Sequence, residues 1–244
     1  MNNFFYKIFD KIRLIFVNII IKAIKYDRMN FVSFLQKNAH EKTVEILGDD
    51  ISDSLFFENK HDLWGLAIEK VINDKKESNK KKVCLEFGVG GGESIRFFAN
   101  KFLNNDIKII GFDSFYGNPE VWPGTENKVG SSNQYGKVPK NLPSNVEIVK
   151  GYIEETLSKF LEENNITKID FIHVDVNIYS AAKIILEKTK KHMNKNSLIL
   201  FDELVNYPFW WKNGEFKALI ETYNKNEYKY VAFDRAKKSL IQIV

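Results

Sequence analysis

Five carboxylates and a run of glycines carry the chemistry this chain could perform. Glu86 closes an apolar run that begins at Val83, and Gly88, Gly90, Gly91 and Gly92 follow before Glu93 and Ser94 open a helical pattern. That order describes a buried strand, a bend where glycine is the comfortable residue, and a helix whose free amides point at whatever lies above the turn. Asp113 ends a second apolar run, Asp175 a third and Asp202-Glu203 a fourth. Carboxylates at strand ends can accept paired hydroxyls, hold a divalent cation or take a proton. Each acid alone is equally well explained as a turn former or helix cap, but as a converging set they favour function.

The elements that must position these acids alternate along the chain. Strands are expected at about 83–86, Ile107–Phe112, Val146–Val149, Ile169–Val174 and Leu198–Phe201. Helices are expected at about Glu93–Phe102, Ile153–Leu161, Ala181–His192 and Glu215–Tyr223. This alternation predicts an α/β fold with a doubly wound, mostly parallel sheet of Rossmann-like type. Two further β-like runs, Tyr228–Phe233 and Leu240–Val244, lie too close together for anything but a C-terminal antiparallel hairpin. In such sheets the ligand crevice lies outside the carboxyl ends of the strands, where the acids sit. Residues 81–244 are therefore the predicted functional domain, residues 31–80 a helical lead-in and linker, and residues 1–30 a separate basic helix.

The net charge of +4 looks suited to an anionic partner until it is located. Residues 1–30 hold Lys7, Lys11, Arg13, Lys22, Lys25 and Arg28 against Asp10 and Asp27, and the remainder balances to zero. A nucleic-acid groove across the body is thus disfavoured, because phosphate binding needs a concentrated basic surface. From Phe4 to Tyr26 the sequence reads as a basic amphipathic helix with a wide apolar face. Its longest uncharged run, Leu14 to Ile21, falls far short of the roughly 20 residues of a membrane span. No small-residue cleavage site of a signal peptide follows. The face is expected either to pack on the domain or a second subunit, or to lie on an anionic membrane. Cys84 is the one cysteine, which excludes a disulfide framework and a cysteine zinc site and suits a reducing, cytoplasmic setting, with the inner membrane surface as the place the helix would reach.

A dinucleotide would favour G-x-G-x-x-G after the first strand. Gly88 and Gly90 supply two positions, but the third falls on Glu93, and shifting the frame puts Ile95 there. An acid at the helix start also suits a pyrophosphate poorly. A cationic nucleoside without phosphates, such as S-adenosylmethionine, fits an acid-rich rim better, with Asp113 placed to accept both ribose hydroxyls.

Five ordered blocks carry a family resemblance. They are Glu86-Phe-Gly-Val-Gly-Gly-Gly-Glu-Ser, Gly111-Phe-Asp-Ser-Phe-Tyr-Gly-Asn-Pro-Glu, Val149-Lys-Gly-Tyr-Ile-Glu-Glu-Thr-Leu, Ile172-His-Val-Asp-Val-Asn-Ile-Tyr-Ser and Phe201-Asp-Glu. Over about residues 82–224 the chain resembles the macrocin O-methyltransferase-like branch of the class I S-adenosylmethionine-dependent methyltransferases. The resemblance implies that Glu86, Gly88, Gly90 and Gly92 form the loop under the methionine part of the cofactor, with Ser94 at the helix start. It implies that Asp113 takes the ribose hydroxyls with Ser114 beside it, and that Tyr152 and Ile153, after Gly151, flank the adenine. It further implies a magnesium ion on Asp175, Asp202 and Glu203; Asp175 or a bound water would take the acceptor proton, and a metal-free enzyme with Asp175 as base stays open because Asn177 lowers the charge of the site.

The chain departs from the family pattern at Asn177, where relatives usually show a second acid, and at Glu203, where many show an aspartate. His173 lies inside a strand and reads as a structural group rather than a catalyst. Residues 114–145 are too long for a plain loop and point to a lid or platform bearing Phe115, Tyr116, Trp122 and Tyr135. Tyr207, Trp210 and Trp211 are read either as an acceptor wall or as packing under the next helix. Relatives methylate sugar hydroxyls, so the expected reaction is O-methylation of a glycan or glycosylated small molecule, by a chain that could self-associate. The competing readings are a nicotinamide-dependent oxidoreductase and a catalytically idle, membrane-associated binding protein.

Overall fold

The computed structural model describes residues 11–22, 30–74 and 81–244. The remainder of the expected 4–26 helix and the linker at 75–80 lie outside the described residues. Residues 11–22 are helical (α1), followed by α2 (Phe31–Leu47), a short strand β1 (Leu55–Phe57) and α3 (Lys60–Asn73). The alternating body comprises β2 (Val83–Phe87), α4 (Glu93–Phe102), β3 (Lys108–Asp113), β4 (Val146–Lys150), α5 (Ile153–Glu163), β5 (Ile169–Val174), α6 (Tyr179–Lys190) and β6 (Met193–Phe201). It closes with α7 (Gly214–Thr222), β7 (Tyr228–Asp234) and β8 (Ser239–Ile243).

The eight strands form one sheet in the order β1-β7-β8-β6-β5-β2-β3-β4. Only the pairings that involve β8 are antiparallel, so the expected mostly parallel sheet with its C-terminal hairpin is what forms. Alternate strand residues feed opposite faces, as a period of two requires. Leu85, Phe87, Ile172 and Val174 pack with α5, α6 and α7, while Cys84, Phe171, Leu198 and Leu200 pack with α3 and α4. Apolar residues on both faces are what a parallel sheet covered by helices demands.

The chain runs outward from β2 through β3 to β4, then returns to add β5 on the other side of β2. The strand order therefore reverses between β2 and β5, where a crevice opens above the strand ends. Gly88 continues β2 there with φ of +91°. Its N–H donates to the Phe112 carbonyl at 2.9 Å, and the Asp175 N–H donates to the Phe87 carbonyl at 2.9 Å. These bonds fix the ends of β2, β3 and β5 against one another.

Two features differ from the sequence expectation, and one of the alternatives for the N-terminal helix falls away. β1 has no counterpart in the prediction, being three residues that add in parallel to the edge strand β7. β6 begins at Met193 rather than Leu198, through a register irregularity opposite β5. Residues 11–22 are exposed along their whole length, with Leu14 at 61% and Phe16 at 64%, so α1 does not pack on the described part of the domain. α2 does dock: Thr43 donates to the Asn206 side chain at 2.7 Å, and Trp210 Nε1 donates to the Ala39 carbonyl at 3.1 Å.

Candidate active site

A cavity of about 780 Å³ lies over the switch point, within the roughly 300–1,000 Å³ usual for small-molecule sites. Its cofactor half starts at the glycine turn. Gly90 and Gly92 take φ of +49° and +82°, left-handed values that cost glycine nothing. Gly92 caps α4 without a side-chain bond, so the first-turn amides of α4 have no internal partner. Arg96 latches the turn to the long loop, donating to the carbonyls of Gly91, Gly92 and Lys140 at 2.9, 2.9 and 2.8 Å.

Asp113 ends β3 beside this turn. One carboxylate oxygen accepts the Gly90 N–H at 2.7 Å and the other the Phe115 N–H at 2.6 Å. Both oxygens are thereby aimed, and each keeps acceptor capacity for a vicinal diol. Gly151 follows β4 with its N–H on the Asp113 carbonyl at 3.0 Å, and Tyr152 and Ile153 open α5 on the same wall. Gly88, Gly90, Ser94, Asp113, Ser114, Gly151, Tyr152 and Ile153 thus all line the cavity. Glu86 and Gly92 do not. Glu86 lies fully buried beneath the turn, accepting from Ser94 Oγ at 2.9 Å and facing His173 Nδ1 at 3.1 Å.

The acceptor half is built on β5, β6 and the β7–β8 hairpin. Asp175, Asn177, Asp202 and Lys238 line it. The antiparallel register pairs Phe201 with Ser239, so the next residues outward, Asp202 and Lys238, stand opposite each other. Lys238 Nζ donates to Asp202 Oδ2 at 2.8 Å, and His173 Nε2 lies 3.6 Å from Asp202 Oδ1, too long for a hydrogen bond. His173 faces Trp64 and Phe98 edge-on, with centroids 6.2 and 5.2 Å away.

Burial would lower the His173 pKa, but the carboxylates of Asp202 and Glu86 outweigh it and push it up to about 10. Burial also governs Asp175, which with the Asp202 charge is pushed up to about 8. Asp202 goes the other way: burial disfavours its charge, yet His173 and Lys238 hold it well below the usual carboxylate range. Two carboxylates with pKa values driven apart at one site are suited to different roles, one titrating near working pH and one permanently charged.

The magnesium set expected on Asp175, Asp202 and Glu203 is not assembled. Among the described residues the donor atoms that come within 4.8 Å of one another belong to His173, Asp175 and Asp202. The Glu203 side chain does not line the cavity; its N–H donates to Glu215 Oε2 at 2.9 Å, and burial raises the pKa of both acids. Asn177 adopts φ of +62°, a conformation asparagine tolerates, and offers an amide where relatives carry an acid. Magnesium demands near-octahedral oxygen ligation. Asp175 and Asp202 offer two carboxylates of the kind magnesium uses, but Asp202 already holds the Lys238 ammonium at 2.8 Å and the Glu203 carboxylate takes no part.

The long loop also differs from expectation. Phe115 and Trp122 are buried at 1% and 3% exposure, while Tyr116 and Tyr135 are exposed, and none of the four lines the cavity. Tyr207 and Trp210 are core residues, as the packing reading held; Trp210 sits edge-on to Phe216 of α7, 4.6 Å between centroids. The loop instead presents Ser114, Asn118, Ser132 and Gln134 to the cavity. Sequence reasoning missed Lys238, for which no local signal exists, and Arg96, whose position four residues after Gly92 was a visible cue.

Residues 85–204 match the family model described as a methyltransferase domain. The fold of the chain is the Rossmann-like methyltransferase fold. CalS11, a calicheamicin methyltransferase, superposes with a TM-score of 0.61 at 21% identity, over 86% of this chain and 89% of that one. An apo structure of CalS11, described as a TDP-rhamnose 3′-O-methyltransferase, gives 0.54 at 22% identity over 86% and 90%. The O-methyltransferase NovP gives 0.56 at 18% identity over 75% and 79%. At these identities the likeness establishes the fold. No curated protein matches the sequence. For the methyltransferase domain, the family match supports S-adenosylmethionine as the cofactor and an enzyme as the class, while the three-glycine fingerprint that a nicotinamide enzyme would favour is incomplete.

Proposed function

We propose that the chain is an S-adenosylmethionine-dependent O-methyltransferase acting on a hydroxyl of a sugar or glycosylated small molecule. The observation that carries this reading is one cavity joining the doubly anchored Asp113 carboxylate to Asp175 across the switch point. Bound S-adenosylmethionine supplies an electrophilic methyl group on a sulfonium, whose C–S bonding pair passes to sulfur as the acceptor oxygen bonds to the methyl carbon.

The protein's own contribution is alignment, proton removal and charge. Asp113 fixes the ribose and Tyr152 and Ile153 flank the base, so the sulfonium is held toward Asp175. Holding two reactants in line supplies about 7–11 kcal/mol in favourable systems. Asp175 takes the acceptor proton, and a pKa near 8 makes it an effective base close to neutral pH. The sulfonium charge beside it would favour the ionised form. Asn118, Ser132, Gln134 and Asn177 offer the amide and hydroxyl groups that sugar hydroxyls pair with, and CalS11, which the chain resembles in fold, is described as a TDP-rhamnose 3′-O-methyltransferase.

The exposed apolar face of α1, with the basic excess of residues 1–30, supports a location on an anionic membrane surface. No described helix is long and apolar enough to cross a membrane. The reaction is tested by incubating the chain with methyl-labelled S-adenosylmethionine and a panel of nucleotide sugars and glycans. Label appearing as an alkali-stable ether on a sugar is expected; label on no acceptor, despite cofactor binding, would favour the idle protein instead.

A further inference from the structure

The β7–β8 hairpin brings a cation to the place where a divalent metal would have to sit. Asp234, buried at the turn, accepts the N–H groups of Ala236, Lys237 and Lys238 at 2.9, 2.9 and 2.8 Å, and its own N–H donates to the Lys238 carbonyl at 3.1 Å. The backbone of Lys238 is therefore fixed before its side chain is considered. From that position its ammonium reaches Asp202 Oδ2 at 2.8 Å, with the two side chains only 13% and 12% exposed. Lys237, next in line, turns the other way and lies over Trp122, 5.1 Å from the ring centroid. Of these two lysines, Lys238 lines the cavity and Lys237 does not.

Every group around Asp202 agrees with this arrangement. His173 Nε2 approaches the other Asp202 oxygen, Oδ1, at 3.6 Å, so a nitrogen-bearing side chain lies beside each carboxylate oxygen. The Glu203 side chain does not line the cavity, and Asn177 contributes no charge. A dication entering between Asp175 and Asp202 would have to break a 2.8 Å ion pair and then sit beside the displaced ammonium. In a medium of low effective dielectric that repulsion is severe.

We propose that Lys238 is the resident cation of this site: its ammonium neutralises Asp202 and faces the acceptor oxygen, so that transfer proceeds without a divalent metal. The ammonium is a compact charge with three donors, and one of them occupies Asp202. Lys238 lines the cavity that Asp175 shares, where negative charge would develop on the acceptor oxygen as its proton leaves. This assignment rests on the methyltransferase reading of the cavity.

Divalent binding tests it without knowledge of the acceptor. The full chain, saturated with S-adenosylhomocysteine, is titrated with Mn²⁺ and free Mn²⁺ is followed by electron paramagnetic resonance, for the wild type, Lys238→Met and Lys238→Arg. Lys238→Met keeps the apolar stem and removes the charge, so it is expected to bind Mn²⁺ about tenfold or more tightly than the wild type. Lys238→Arg is expected to behave as the wild type, with no site below millimolar Mn²⁺. Micromolar Mn²⁺ binding by the wild type, or no gain in a folded Lys238→Met, would overturn the assignment. Cofactor binding measured on the same samples separates this from the underlying reading, since failure to bind S-adenosylhomocysteine at all would sink the latter whatever the metal result.

Discussion

A side chain on Gly88 would drive its Cβ into the backbone carbonyl oxygen of Asp175. The glycine turn after β2 and the acid after β5 are thus packed backbone to backbone, and the two halves of the cavity are a single rigid unit. Positive φ at Gly88 adds to the demand for glycine. Gly88→Ala combines backbone strain with overpacking and is expected to cost about 2–4 kcal/mol in urea unfolding. A loss below about 0.5 kcal/mol would show that the switch point is looser than this contact requires.

Asp113 holds the turn with the same carboxylate that the proposed function assigns to the ribose. Asp113→Asn keeps the shape but leaves one of the two N–H donors, from Gly90 or Phe115, facing an amide rather than a carboxylate oxygen. We expect S-adenosylhomocysteine affinity to fall about 100-fold, the equivalent of losing charge-assisted hydrogen bonds worth about 3 kcal/mol. Isothermal titration calorimetry reads this directly, and unchanged affinity would remove the ribose assignment.

His173 stands between Glu86 and Asp202 as a buried imidazolium. Its pKa is raised from 6.5 to about 10, so the stability it contributes is complete below about pH 6.5 and is lost as pH rises toward 10. The urea midpoint of the wild type is expected to decline across that window, and His173→Gln to decline less. At neutral pH, His173→Gln leaves Glu86 buried without its cation and should cost about 3–5 kcal/mol. Equal slopes for the two proteins would mean that His173 is neutral in the folded chain.

The alternation of strands and helices was legible because the strand ends are marked: Glu86, Asp113, Asp175 and Asp202 each close an apolar run long enough to be buried on both faces. Edge features were not. Leu55–Phe57 shows no period of its own and becomes a strand only because β7 offers an open edge. In the site, the cofactor half is local in sequence, a turn and the residues beside it. The acceptor half is assembled by register: Glu86 pairs with His173, and Phe201 with Ser239, which sets Asp202 against Lys238. Nothing near Lys238 marks it, and nothing near Glu203 shows that its backbone N–H will donate to Glu215, twelve residues on, while its carboxylate stays out of the cavity. The aromatic residues of the 114–145 loop misled because ring-rich segments serve packing as readily as recognition.

α1 exposes Ile12, Leu14, Ile15, Phe16, Ile19 and Ile20 at 51–64%. Removing residues 1–28 is expected to reduce co-sedimentation with phosphatidylglycerol vesicles at least several-fold while leaving the thermal midpoint of the body within about 2 °C. A change in oligomer size without a change in vesicle binding would assign the face to a second copy of the chain.

The most direct test of the central claim is calorimetric titration of the full chain with S-adenosylmethionine and, separately, with NAD. Saturable one-to-one binding of S-adenosylmethionine that is lost in Asp113→Ala, with no heat from NAD, is the predicted result. Binding of NAD without binding of S-adenosylmethionine would contradict it.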